Sequence, residues 1–337
     1  MDRVPAARPV LVAPDSFKGT LTAAQVADAL QHGLERAGWR CDRCPAADGG
    51  DGTLDVLLAA LSGELMETET HDPLARPIRA AFALVEGGAR AIVETATASG
   101  LALLAEDERA PEAASTAGTG ELIAAAVRSG VHEVLLGVGG SATTDGGAGA
   151  IEAVEASGGL RGARLVVLCD VRTPFERAAE VFAPQKGADP QAVRRLTRRL
   201  EHQARALPRD PRGMPMTGCA GGLSGGLWAA FGARLVPGAA FVLDALGFDA
   251  RARPAAAVVT GEGRLDPQSL EGKVVGEVAS RCRQRGIPCH AVVGTSALDR
   301  FGRRLLDLQT VDEAGTIADI QAAGVRLGER LADERSR

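Results

Sequence analysis

The chain has 337 residues, 45% of them apolar, with 38 Lys plus Arg against 43 Asp plus Glu, for a formal charge of −5. This describes a globular protein with room for two cores, and it excludes a nucleic-acid surface: that would need clustered positive charge and stacking rings, where the chain offers 8 Phe, 2 Trp and no Tyr. The basic residues are themselves skewed, since Lys18, Lys186 and Lys273 are the only lysines and the others are Arg, while Asn is absent.

No apolar run approaches the roughly 18 residues of a membrane span, and Met1 to Arg8 lacks the apolar core and cleavage site of a signal peptide, so a cytoplasmic protein is expected. The one C-x-x-C, Cys41 with Cys44, has no second pair and no nearby His, and reads as reduced thiols rather than a zinc site.

In chain order, the apolar run Val10 to Ala13 ends in Pro14-Asp15-Ser16 and is followed by a capping box, Thr22-x-x-Gln25. Val26, Leu30, Leu34 and Ala37 then share one helical face, and Gly38 stops the helix. A second strand over Arg40 to Ala46, a loop Asp48 to Gly52 and a helix Thr53 to Leu61 repeat the pattern, which predicts a parallel sheet. Asp72-Pro73 and Glu86-Gly87-Gly88 then punctuate alternating segments between residues 64 and 96, which predicts antiparallel hairpins. Beyond them come a helix near Gly120 to Arg128, a strand Val134 to Val138, a Gly-rich loop, a helix to Ala156, a strand Leu165 to Cys169 and an Arg-rich helix Pro190 to Leu207. From about residue 240 the βα rhythm returns, with strands at Ala257 to Thr260, His290 to Val293 and Gln309 to Val311 and helices after each. The two ends together supply five strands and four intervening helices. The expected fold is therefore α/β, with a flavodoxin-like domain from residues 1–65 and 240–337 and an inserted α/β domain over 66–239.

Four loops in the outer segments are dense in Gly, Asp and Lys: Ala13 to Gly19, Ala47 to Gly52, Thr260 to Asp266 and Gly294 to Ser296. In an open parallel sheet ligands bind beyond the carboxyl ends of the strands, so these loops are expected to converge on one crevice. Any one of them could equally be a plain Gly/Asp turn. The insert adds Gly137 to Gly147, where Gly139, Gly140 and Ser141 could hold an anion through backbone N–H and hydroxyl groups. This stretch imitates a dinucleotide fingerprint, G-x-G-x-x-A. However, Thr143 to Gly147 delay the helix, and Asp170 lies too far on for the acid that would bind ribose.

Each lysine stands near a glycine: Lys18-Gly19, Lys186-Gly187 and Gly272-Lys273. A lysine is a compact charge suited to phosphate. The accompanying carboxylates are Asp48, Asp51, Asp145, Asp170, Glu262 and Asp266, while all five His fall outside these loops. Phosphoryl transfer needs hard oxygen ligands for Mg²⁺, cations on the moving group and a carboxylate for the attacking hydroxyl, and the inventory supplies each. No G-x-x-x-x-G-K-[ST] is present, nor the protein-kinase loops.

Taken in order, APDSFKGTLTA, ADGGDGT, ATASGL, GTGELI, GVGGSATTDGG, CDV, APQKGAD, AGGL and TGEGRLDPQSLEGK resemble the bacterial glycerate kinases that use ATP, over about residues 10 to 300. The resemblance implies transfer of the ATP γ-phosphoryl to D-glycerate, usually giving 2-phosphoglycerate, with a restriction-enzyme-like second domain and an active site in the interdomain cleft. On this reading Lys18, Lys186 and Lys273 handle phosphate or carboxylate charge, joined by Asp15, Ser16, Gly139, Gly140, Ser141, Thr144 and Arg264. Asp145 is the candidate base, with Lys18 and Lys273 beside it in catalysis, and Mg²⁺ ligands are expected among Asp48, Asp51, Asp170, Glu262 and Asp266. The expected partners are ATP and D-glycerate, with no membrane or nucleic acid, and a homodimer is one expected assembly. The chain departs from the family in having Thr144 where Asn is usual, in lacking glycines over residues 172–179 and in Cys219 before Gly221 and Gly222. Outside the family, the competing readings are an NAD-dependent 2-hydroxy acid dehydrogenase and a non-catalytic protein that binds a small hydroxy acid.

Overall fold

The structure, a computed structural model, describes residues 8–335. All but Arg8 of the stretch read against a signal peptide lies outside them. No helix among the described residues is long and apolar enough to cross a membrane. The strands are β1 (Val10–Pro14), β2 (Cys41–Arg43), β3 (Gly63–His71), β4 (Pro77–Val85), β5 (Arg90–Glu94), β6 (Glu133–Gly137), β7 (Arg164–Cys169), β8 (Arg234–Pro237), β9 (Ala257–Gly261), β10 (Arg264–Leu265), β11 (Cys289–Val293), β12 (Thr295–Ser296) and β13 (Thr310–Glu313). The chain forms two compact units, one from the residues up to Asp48 together with those from Ala239 onward, the other from Gly49 to Gly238.

The first unit is built on a parallel sheet in the order β13-β11-β9-β1-β2. Numbered within this unit, that is the doubly wound order 2-1-3-4-5 read from the β2 edge, with its reversal between β1 and β9. Strands β1, β9 and β11 are apolar but for Thr260 and His290 and are buried on both faces, as a sheet covered by helices on each side requires. The period of two divides their side chains. Val10 and Val12 pack with Leu30, Leu34, Ile320 and Leu327 of the helices Ala23–Arg36 and Ile317–Arg335, whereas Leu11 and Ala13 face Leu243, Phe248, Val275 and Val278 on the other side. Fully burying a leucine such as Leu30 or Leu34 contributes about 1.5–3 kcal/mol. Helices 23–36 and 317–335 approach so closely that a Cβ on Gly33 would lie 2.2 Å from the Gln321 carbonyl oxygen. The capping box forms as the sequence indicates: the Gln25 N–H donates to Thr22 Oγ1 at 3.2 Å, and the Thr22 N–H to Gln25 Oε1 at 2.9 Å.

The second unit carries a six-stranded sheet in the order β3-β4-β5-β6-β7-β8, antiparallel across β3, β4 and β5 and parallel from β5 to β8. Asp72 shapes the β3–β4 turn by accepting the Leu74 and Arg76 N–H groups at 2.8 and 2.9 Å. The helix Thr53–Leu61 belongs here, packing on β3, β4 and β5, although the βα rhythm places it with the first 65 residues. The division falls at Asp48, because Leu54, Val56 and Leu57 find their apolar cover in this sheet. The helix between β2 and β9 in the first unit is supplied instead by Gly238–Ala245 and Phe248–Ala252.

Candidate active site

Chemistry-bearing residues gather at the carboxyl ends of the parallel strands in each unit. In the first unit the group lies at the reversal between β1 and β9. There the Asp15 N–H donates to the Gly261 carbonyl at 2.8 Å and the Ser16 N–H to Asp15 Oδ1 at 2.6 Å. Gly294 N–H reaches the Glu262 carbonyl at 3.0 Å, and β10 pairs with β12, which joins the fourth expected loop to the third. Lys18 sits at the tip of the turn closed by Gly19, its Nζ 3.7 Å from Asp48 Oδ2, and Lys273 Nζ lies 4.0 Å from Glu262 Oε2. Lys273 is also the N-cap of helix Val274–Gln284, so its charge adds to the positive end of the helix dipole.

Three carboxyls here repel one another. Burial, then the neighbouring Asp48, pushes Asp15 well above the usual carboxylate range, with Lys18 opposing and Glu262 adding to the rise. Burial raises Glu262 to about 7; the Ser269 hydroxyl and Lys273 pull it back, while Asp48 and Asp266 push it up. Glu262 Oε1 and Ser16 Oγ are buried with no hydrogen-bond partner. Among the described residues, no group of three or more His, Cys, Asp or Glu is spaced as a ready metal cage. That donor set suits magnesium, which is typically held by one or two carboxylates with phosphate oxygens and water completing its shell.

The five residues expected to hold the metal are divided between the two units. Asp48, Glu262 and Asp266 lie in the first unit, Asp51 and Asp170 in the second. Asp266 is a turn former, its Oδ1 accepting the Gln268 N–H at 2.9 Å, and Arg264 extends beside it, largely in solvent.

In the second unit the residues lie on the loops after β5, β6 and β7. Gly139 and Gly140, expected to cradle an anion, pack closely against the 50–51 loop: a Cβ on Gly139 would lie 2.2 Å from Gly50 Cα, and one on Gly140 would lie 2.0 Å from Asp51 Oδ1. The helix following this loop starts only at Ala148, so the dinucleotide fingerprint has no helix N-terminus to offer. Lys186 is buried, and its Nζ donates to Ser141 Oγ at 3.0 Å and to the Thr143 carbonyl. Burial lowers its pKa to about 7 against the attraction of Asp145 and Asp170, and its two hydrogen bonds make it an internal strut for the Ser141–Thr143 segment. Gly187 at φ +95° ends the turn that carries it, and Asp189 caps the following helix Pro190–Ala206. The Thr144 and Thr143 hydroxyls are buried without a hydrogen-bond partner.

Asp145 also differs from expectation. Its Oδ2 accepts the Thr116 N–H at 2.9 Å, the Thr116 hydroxyl at 2.8 Å and the Gly149 N–H at 3.2 Å, and its Oδ1 accepts the Gly147 N–H at 3.1 Å. A carboxylate holding four donors at a helix start is a clamp for that helix.

Sequence reasoning missed Glu94. It closes the apolar strand β5, and its two oxygens accept the Gly52 and Leu54 N–H groups at 2.9 and 3.0 Å, capping helix Thr53–Leu61 and fixing the loop that bears Asp51. A lone acid ending an apolar strand was the available signal. Burial raises Glu94 from 4.5 to about 7, with the Leu54 and Gly52 N–H groups opposing. Because the folded pKa is the higher one, the folded state binds protons that the unfolded state has released, and this group's contribution to stability falls as pH rises from 4.5 to about 7. Glu94→Gln offers one acceptor where two N–H groups need one, so a loss of about 1–3 kcal/mol is expected in urea unfolding at neutral pH, with a shallower fall of stability across that pH window.

A doubly wound sheet with lysines and mutually repelling carboxyls at its switch point, joined to a second α/β unit, defines an enzyme class that works on small anions. The chain matches the model of the glycerate kinase family over residues 10–158 and 154–320, and it belongs to that family. It is 37% identical over 325 residues to a glycerate kinase of Halalkalibacterium halodurans, covering 85% of each chain. It is 33% identical over 372 residues to the glycerate 2-kinase of Escherichia coli K12, covering 96% of this chain and 98% of the other. Among solved structures, a crystal structure described as a candidate glycerate kinase 2 from Salmonella typhimurium LT2 superposes with a TM-score of 0.81 at 30% identity, covering 98% of this chain and all of that one.

Proposed function

We propose that the chain transfers the γ-phosphoryl group of ATP to D-glycerate, giving 2-phosphoglycerate rather than 3-phosphoglycerate, in the cytoplasm. The observation that carries this reading is the set of two lysines and three mutually repelling buried carboxyls at the β1–β9 switch point. Such a set is unfavourable alone and becomes favourable around polyphosphate with a divalent cation. Family membership and the name of the E. coli relative support the choice of substrate and of product.

We assign ATP to the first unit, with Lys18 and Lys273 on its phosphates and Glu262, with Asp48 or Asp15, as ligands of magnesium. Bound with the nucleotide, magnesium supplies positive charge against the β- and γ-phosphate oxygens. The hydroxy acid is assigned to the second unit, where Asp170, directly after β7 and facing Lys186, takes the proton of the attacking hydroxyl in place of Asp145. Lys186 holds Ser141 and Thr143 in position.

Incubation of the purified protein with ATP, Mg²⁺ and D-glycerate is expected to yield ADP and one phosphoglycerate, whose ³¹P spectrum identifies the modified hydroxyl. Glycerate binding with no ADP formed would leave a binding protein, and NADH binding with no ATP turnover would favour the dehydrogenase.

A further inference from the structure

Arg109 lies between β5 and helix Ala117–Arg128, on a loop at the carboxyl end of the second sheet. Acids bracket it in sequence, yet they belong to other arginines. Glu108 Oε1 is 2.6 Å from Arg76 Nη1, and Glu112 takes Arg195 Nε and Nη2 at 2.8 and 2.7 Å. Arg109 Nε is buried with no hydrogen-bond partner. A guanidinium N–H removed from water without an acceptor is costly until one arrives. Arg330 also has a buried, unpartnered nitrogen, but it acts on His290, near the amino end of β11 and away from the carboxyl-end loops.

The place of Arg109 gives this buried nitrogen a meaning. A Cβ on Gly187 would lie 3.2 Å from Arg109 Cβ, so Arg109 stands against the turn that carries Lys186. The Lys186 ammonium is committed to Ser141 and Thr143, which leaves Arg109 to supply the charge that turn presents. A planar fork matches one carboxylate in two hydrogen bonds, whereas a triphosphate calls for several cations and a metal, as the first unit provides. The unpartnered Thr143 and Thr144 hydroxyls, on the segment held by Lys186, are groups that suit a polyhydroxy acid.

We propose that Arg109 binds the carboxylate of the acceptor and so selects a small hydroxy acid over a neutral polyol or amide. This deepens the glycerate reading above and rests on it. The test compares wild type, Arg109→Ala and Arg109→Lys with D-glycerate and with its neutral isostere D-glyceramide. Arg109→Ala is expected to lower kcat/KM for D-glycerate by about 10²–10³-fold, to leave kcat/KM for D-glyceramide within about threefold, and to leave KM for ATP unchanged. Arg109→Lys, which keeps the charge without the fork, is expected to lose about tenfold on D-glycerate, and it carries the test if the alanine variant fails to fold. An unchanged kcat/KM for D-glycerate, equal losses on acid and amide, or a parallel rise in KM for ATP would overturn the proposal. If wild type forms no ADP from D-glycerate, the kinase reading fails by itself. Calorimetric titration with D-glycerate then decides on Arg109: binding by wild type that is lost in Arg109→Ala upholds it, and equal binding, or none by wild type, overturns it.

Discussion

Lys18→Ala is expected to lower kcat with ATP and D-glycerate by about 10²–10³-fold while leaving the urea unfolding midpoint where it is. The two halves of this expectation come from different features. Lys18 stands at the tip of the turn between Asp15 and Gly19 with half its side chain in water, and its contact with Asp48 is long, so its removal disturbs no packing. Its charge, however, opposes the rise in the Asp15 pKa and faces the buried Asp48 carboxylate. Without it the switch-point group holds three carboxyls against Lys273 alone, a poor place for phosphate. Steady-state kinetics beside urea unfolding separates the outcomes: a wild-type kcat would remove Lys18 from the site, and a lost midpoint would make it structural.

Asp145→Asn is expected to do the reverse, destabilising the protein by about 3 kcal/mol or more before it touches chemistry. Four donors converge on this carboxylate from Thr116, Gly147 and Gly149, and the amide NH₂ would point a donor at donors. The loss is to be read from the unfolding midpoint. Any fall in kcat should be largely recovered at low temperature, where the destabilised variant remains folded. A collapse of kcat at unchanged stability would restore Asp145 as the base.

The first unit was largely legible in the sequence because its strands are short apolar runs with punctuated ends and its helix start is marked by Thr22 and Gln25. The assignment of helix Thr53–Leu61 was not, since a βα rhythm records succession and not which sheet buries Leu54 and Leu57. The loops of the site were readable as loops; Lys273 stands beside Glu262, and Lys18 beside Asp48. What the motifs concealed was division of labour. Glycine dictates close approach without saying to what, and the sequence did not show that Gly139 packs on Gly50. A lysine among glycines looks ready for phosphate, and only the geometry shows Lys186 turned inward. Glu94 lacked a motif, and its role appears once hydrogen-bond partners are counted.

The pairing of helix Ala23–Arg36 with helix Ile317–Arg335 has a bearing on biosynthesis. A ribosome delivers β1 and its helix first, yet their neighbours β9 and the 317–335 helix emerge after the whole of the second unit has been made. The second unit is contiguous and can fold as it emerges, while Leu30 and Leu34 wait with their apolar face uncovered. The apolar face of helix Ala23–Arg36 therefore stays uncovered in the nascent chain until β9 and helix Ile317–Arg335 have been made.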